Sequence, residues 1–205
     1  MGMAVKEKLS KEEKQELLKV LTYEKVKGKP IYYRGYKKVL KGELPPEAVM
    51  GSSGLQAFLI RLLVEFLLGA LDRKMYEVLF NEIGFLCDKD SWRNLDIAVF
   101  EKEKVKPHLV QDKLIPIPPL VVIEVDTKAD LSKYMNFEGY MYEKAEDLLN
   151  AGVQRVIWYI TKVKKVLIAE PGKDWITADW DRDVEVLKGV ELNLKKLLDK
   201  EGIEI

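Results

Sequence analysis

The sequence predicts an α/β protein with a restriction-endonuclease-like layout, a mixed β-sheet flanked by α-helices, and three observations carry that expectation. Leu120–Val125 is an almost unbroken apolar run dominated by β-branched residues, the pattern of a central strand covered on both faces. Leu55, Phe58, Leu59, Leu62, Leu63, Phe66 and Leu67 recur at helical spacing between Gly54 and Asp72, which demands a helix with a wide buried face. Around these, segments of period two and of helical period follow the order helix, strands, helix, strands.

A chain of 205 residues suffices for one substantial core and falls short of two full domains. Its natural division sets an N-terminal helix and connector in residues 1–43 against a main domain in residues 44–205. Net charge is zero, so no bulk basic charge advertises nucleic acid, and any such binding must use a local patch. Cys87 is the only cysteine, which excludes an internal disulfide and a cysteine zinc cluster and fits a reducing, cytoplasmic setting. The N-terminus is dense in Lys and Glu and is not read as a signal peptide. Arg61 and Glu65 interrupt the apolar segment Leu55–Leu71, which marks a core helix rather than a membrane span.

In chain order, Ser10 caps a first helix to Leu21, with Glu13 placed for a capping box. Tyr23–Glu43, broken by Gly28, Pro30, Gly35 and Gly42, is expected as a connector with one short strand at Ile31–Tyr33. Ser52 and Ser53 can cap the long helix. Tyr76–Asn81 and Ile83–Cys87 read as one bent strand or two, and Leu95–Phe100 as the next. Lys102–Pro119 is an irregular connection. After the central strand, a helix from about Lys133 to Ala151 ends at Gly152, suited to its C-terminal cap. Val153–Thr161 and Val163–Ile168 form a hairpin candidate, followed by short edge strands and a closing helix at Val190–Leu198.

Chemistry enters through buried charge. Alternation sets Leu95, Ile97 and Val99 on one face of their strand and Asp96, Ala98 and Phe100 on the other, so Asp96 enters an otherwise small or apolar face. The same rule sets Val122, Glu124 and Asp126 together. If the two strands are neighbours, Asp96 and Glu124 meet, as a hard divalent cation such as Mg²⁺ or Mn²⁺ requires of its oxygen ligands. The plain alternative for Asp96 is a turn-bonded aspartate partnered by Arg93. Lys144 lies in the apolar arc of Phe137, Met141 and Leu148; it either snorkels to water or points inward at the carboxylates. Glu65 and Glu82 are expected to be solvated, although either can add an acidic ligand. His108 is the sole histidine and sits in a polar loop, which argues against serine-histidine hydrolysis; no phosphate-binding glycine loop follows a strand.

The stretches YRGYKKVLKGELPPEAVMGSSGLQ, NLDIAVF, PPLVVIEVDTKAD and YEKAEDLLNAGVQRVIWYI resemble a bacterial family of restriction-endonuclease-like proteins of unknown function in the PD-(D/E)XK nuclease superfamily. The likeness runs from about Tyr33 to Leu198. It implies that Asp96 and Glu124 hold a Mg²⁺ or Mn²⁺ ion, with Leu95 in place of the family's preceding proline. Asp126 stands where the superfamily's lysine stands, and can add a water-mediated metal ligand. The lysine then looks displaced to Lys144, eight residues before Gly152, with Lys128 of Asp126-Thr127-Lys128 as its competitor. A histidine common in that family near the start of the long helix is replaced here by Gly54-Leu55-Gln56. By this resemblance the chain is expected to be a metal-dependent DNA endonuclease acting as a homodimer, with Asp96, Glu124 and Lys144 as its catalytic residues and no organic cofactor. The alternative is a nuclease-like module that binds nucleic acid or a protein partner without cutting. For such binding, the lysines and tyrosines of residues 25–41 are either a basic patch or a solvated connector.

Overall fold

The computed structural model describes residues 9–204. Helix α1 (Lys11–Val20) opens at Ser10, whose side chain and that of Glu13 form the expected capping box. The stretch expected as a connector is instead a β-hairpin, β1 (Thr22–Val26) and β2 (Lys29–Tyr32), and β1 joins the main sheet beside β4. Lys27 and Gly28 at its tip both have positive φ, which lets the two strands turn back on each other. Two short helices, α2 (Tyr36–Leu40) and α3 (Glu47–Met50), lead to the long α4 (Gly54–Ala70), capped by the Ser53 side chain.

β3 (Tyr76–Asp88) is one bent strand, with a bulge between Phe80 and Ile83 where Asn81 and Glu82 both adopt positive φ. β4 (Ser91–Glu101) is followed by α5 (Lys102–Val105), a single turn over Lys106–His108 and a long irregular connection to β5 (Val121–Val125). The next helix, α6 (Phe137–Asn150), begins later than the periodicity suggests, because Asn136 caps it and a separate turn covers Leu131–Lys133. It closes as expected: Gly152 has φ +103° and Val153 N–H donates to the Leu148 carbonyl, the Schellman arrangement. β6 (Arg155–Ile160) and β7 (Lys165–Ala169) follow, then the edge strand β8 (Ile176–Asp179). Val190–Leu192 is not the start of the last helix: it is β10, paired with β9 (Val184–Leu187), and α7 (Leu194–Lys200) begins only at the Asn193 cap.

The eight-stranded sheet runs β2-β1-β4-β5-β6-β7-β8, with β3 also paired to β4. Among the described strands β5 and β6 form the one parallel pair, and α6 is the crossover that such a pair needs. All five residues of β5 are buried, because α4 covers one face and α6 the other. Leu59, Leu63 and Leu67 pack on Ile97, Ile123 and Val125; Tyr140, Ala145 and Leu148 pack opposite, on Ala98, Val122 and Trp158. Leu95 departs from the alternation expected of it. It packs with Ala98 and Phe100 rather than with Ile97 and Val99, since β3 skips from Phe80 to Ile83 opposite this point and the strand turns there. No described helix is long and apolar enough to cross a membrane.

Leu63 is fully buried in the α4 core, so Leu63→Ala is expected to lower the unfolding free energy by ~2–5 kcal/mol. Leu55→Ala on the half-exposed side of the same helix should change it by less than about 0.5 kcal/mol. Urea denaturation midpoints with unchanged slope check both.

Candidate functional site

The site is made where two strands part. β4 and β5 pair through Val99–Val121, Ala98–Val122 and Ile97–Ile123, and their ladder ends there. The Val125 N–H, left without a strand partner, donates to Asp96 Oδ2 at 2.8 Å, and the Val125 carbonyl accepts from Gln56 Nε2 at 2.8 Å. Asp96 thus takes the place of a backbone acceptor in a buried position, and Gln56 at the start of α4 closes the other side. Glu124, the residue after Ile123, lies on the face covered by α6, where Lys144 meets it, and Asp96 is close enough to act on it electrostatically.

Lys144 is the residue that α6 contributes, and it is completely buried rather than snorkelling. Its ammonium contacts Glu124 Oε2 at 3.1 Å, Glu24 Oε1 at 2.9 Å and the Asn94 carbonyl at 2.6 Å. It also lies 5.4 Å from the centroid of the Trp158 ring. An ammonium has three N–H donors, and here all three are committed.

Glu24, on β1, is the member that the sequence reading missed. It is fully buried, and besides Lys144 it accepts from Arg93 Nη1 at 2.8 Å and from the Tyr140 hydroxyl at 2.9 Å. Arg93 is likewise buried, and it pairs with Glu24, Asp147 and Glu143, not with Asp96 as the plain alternative would have it. No periodic pattern in Thr22–Val26 marks it: the neighbours Tyr23 and Glu24 are both buried, and the register with β2 shifts between Thr22 and Glu24.

These contacts set the electrostatics. Burial raises the Glu24 carboxyl, but Lys144 and Arg93 outweigh it and hold the group below the ordinary carboxylate value. Burial likewise opposes charge on Lys144, yet Glu124 and Glu24 overcome it and the ammonium is held charged. Glu124 is left with part of a shared cation: burial, with Asp96 adding to it, pushes its carboxyl well above the usual range. Burial raises Asp96 too. Three buried carboxylates, Glu24, Asp96 and Glu124, therefore face two buried cations, Arg93 and Lys144.

A divalent cation fits that imbalance. Glu124 Oε1 is buried and has no hydrogen-bond partner, an orphaned acceptor of the sort a metal satisfies. Among the described residues no three His, Cys, Asp or Glu side chains are grouped as a complete metal cage. Mg²⁺ needs none, since it commonly takes one or two carboxylates and completes its shell with water and substrate phosphate.

The other expected residues lie as follows. Asp126 does not share Glu124's face: at φ +54° the chain leaves the strand, and its carboxylate accepts from Thr161 N–H at 2.9 Å and Thr161 Oγ1 at 2.5 Å. Those bonds tie it to the end of β6, so a role beside Glu124 as a water-mediated metal ligand has no geometric support. Lys128 is largely buried, its side chain 12% exposed. It pairs with Glu82 and donates to the Met50 carbonyl at 3.1 Å, which leaves one N–H uncommitted. Glu82, expected in water, instead joins Lys128 and the Tyr33 hydroxyl. Glu65 is exposed and paired with Arg61, as expected. Two cavities meet at this place. One of about 520 Å³ lies between α4 and the β3 bulge and is lined by Asp96, Glu82 and Lys128 among others. The second, about 1160 Å³, runs past the ends of β5 and β6 and is lined by Arg34, Lys38, Lys128 and Lys162. Lys128 borders both, whereas His108 borders neither.

Asp96 keeps its proton to higher pH in the folded chain than in the unfolded one, so folding takes up a proton and stability falls as pH rises through that window. Asp96→Asn retains an oxygen for the Val125 N–H and removes the buried charge. Its metal-free melting temperature should exceed that of the unmodified chain by a few degrees at about pH 8, the gap closing towards about pH 4. A lower midpoint at the higher pH would contradict the burial argument.

No protein-family profile and no curated protein sequence matches the chain. Among solved structures, one from Anabaena variabilis ATCC 29413, described as "a putative nuclease belonging to DUF820", superposes with a TM-score of 0.58 over 72% of this chain and 82% of that one, at 16% identity. At that identity the likeness is one of fold, and the chain therefore has the mixed α/β, nuclease-like fold that its sequence predicted.

Proposed function

We propose that this protein is a metal-dependent phosphodiester hydrolase that cuts DNA. The observation that carries the reading is the buried pair Asp96 and Glu124 at the parting of β4 and β5, with one Glu124 oxygen unpartnered and more buried negative than positive charge around it. The nuclease-like fold of the similar structure supports it.

Asp96 and Glu124 would hold Mg²⁺ or Mn²⁺. When bound, such an ion supplies Lewis-acid stabilisation of the phosphate and a more acidic water as nucleophile. Lys144 has no donor to spare for substrate; it fixes the position of Glu124, and its charge only partly offsets the burial that raises that carboxyl. Lys128 borders the cavity that contains Asp96 and retains a free N–H, so it would be the cation that meets a scissile phosphate. Arg34, Lys38 and Lys162 line the adjoining groove, where flanking phosphates would lie. Asp126, Asp130 and Glu138 line the same groove, so these contacts would be made by individual cations and not by a uniformly basic surface.

Supercoiled plasmid incubated with the protein and Mg²⁺ or Mn²⁺ tests this. Asp96→Asn and Glu124→Gln should each lower cleavage at least a hundredfold while circular dichroism stays unchanged. Calorimetric titration of Mn²⁺ should show binding that both substitutions abolish. Cleavage that persists in both variants, or no metal binding at millimolar concentration, refutes the reading; the second result would favour a nuclease-like module that binds without cutting. The two lysines should also separate. Lys128→Ala is expected to slow cleavage with folding stability nearly unchanged. Lys144→Met should lower stability by ~3–5 kcal/mol, because it leaves buried carboxylates uncompensated.

A further inference from the structure

The cavity between α4 and the β3 bulge is more apolar than a phosphate site would be. Ile60, Val64, Leu68 and Phe80 form its walls, while Asp96 and Lys128 border it. Its one remaining cation, Arg61, is already engaged by Glu65 and Glu201. We propose that this cavity is a nucleobase site, and that the protein acts on an unpaired nucleotide, in a single strand or turned out of a duplex.

Four features point there. The volume of about 520 Å³ lies within the range of pre-formed small-molecule sites and admits one nucleoside, not a base-paired double strand. Phe80 borders the cavity with about half of its surface exposed, an aromatic face without a protein ring against it among the described residues. Such a face is what a base stacks on, whatever its sequence. Asn81, next in the chain, also borders the cavity, and its side-chain amide has no hydrogen-bond partner among the described residues. It offers both a donor and an acceptor to a base edge. Finally, Asn81 and Glu82 both adopt positive φ, a backbone state that asparagine accepts more readily than glutamate. That bulge interrupts the pairing of β3 beside Asp96, places Phe80 and Asn81 on the cavity, and ties Glu82 to Lys128.

The connection of the two cavities gives the strand its path. Lys128 borders both, so a phosphate placed there has the apolar cavity on one side and, on the other, the groove where Arg34, Lys38 and Lys162 stand beside Asp126, Asp130 and Glu138. A base would enter the first while the backbone continues along the second. A paired base is stacked above and below and bonded to its complement, so only an unpaired or extruded one can make this contact. The placement of the phosphate rests on the nuclease reading; the base site itself does not.

Binding tests it without cleavage. Fluorescence anisotropy of the full chain, without divalent metal, would compare a short labelled single strand, the same strand made entirely abasic, and the blunt duplex. The single strand should bind about tenfold tighter than both of the others. Phe80→Ala should erase the advantage over the abasic strand, and Phe80→Tyr should keep it, because the stacking surface remains; the half-exposed position lets both variants fold. An abasic strand that binds as well as the normal one overturns the inference, as do equal preference for duplex and an unchanged ratio in Phe80→Ala. If the base-dependent ratio and its loss in Phe80→Ala are observed while metal-dependent cleavage is absent, the base site stands and the nuclease reading falls.

Discussion

The ammonium of Lys144, held without water between Glu24 and Glu124, is the contact on which the arrangement of this fold depends. Its partners come from three strands and its own side chain from a helix: β1 supplies Glu24, β4 the Asn94 carbonyl and β5 Glu124. Arg93 extends the network back to α6 through Asp147. Buried ion pairs are poor sources of stability when compared with apolar packing, because desolvation consumes most of their attraction. Their effect here is to specify. A shift of α6 along the sheet, or of β1 along β4, would strand a buried charge, so the register of hairpin, sheet and helix is set together.

The same network leaves an asymmetry. Glu24 is met by two cations and two neutral donors, Glu124 by one cation that it must share, and Asp96 by one backbone N–H. Negative charge is therefore compensated on the α6 side and undercompensated at the parted strand ends. Burial with so little compensation costs the folded chain stability at this place. The position follows a general feature of sheets with parallel neighbours, in which the space beyond the carboxyl ends of the strands is free of ladder contacts and open to ligand. Here β5 and β6 end at Val125 and Ile160, and both cavities lie beyond or beside those ends.

Much of this was legible in the amino-acid order because it is local. The apolar run Val121–Val125, the spacing of Leu59, Leu63 and Leu67, the Ser10–Glu13 capping box and Gly152 after α6 all express preferences of short segments. The candidate pair Asp96 and Glu124 was legible for the same reason: each is a charge where period two requires an apolar neighbour. So was Lys144, by its place in the stripe of α6. Asp126 was misread because period two holds only while the strand lasts. The chain leaves that geometry at φ +54°, one residue after β5 ends, and no single-segment pattern reports it.

What the sequence determined by itself is the set of elements, their polarity and the odd charges they bury, since those depend on periodicity and capping within a few residues. Tertiary structure alone decided which charges meet. Glu24 lies 69 residues from Arg93 and 116 from Tyr140, in a hairpin whose glycines resemble those of a loop, and only pairing with β4 brings it against Lys144. It likewise decided that Lys128 is gathered into a half-buried pair by Glu82 of a bulged strand. A long-range ion pair leaves no mark on local spacing, because its energy is realised only after the backbone has brought distant segments together and excluded water from between them.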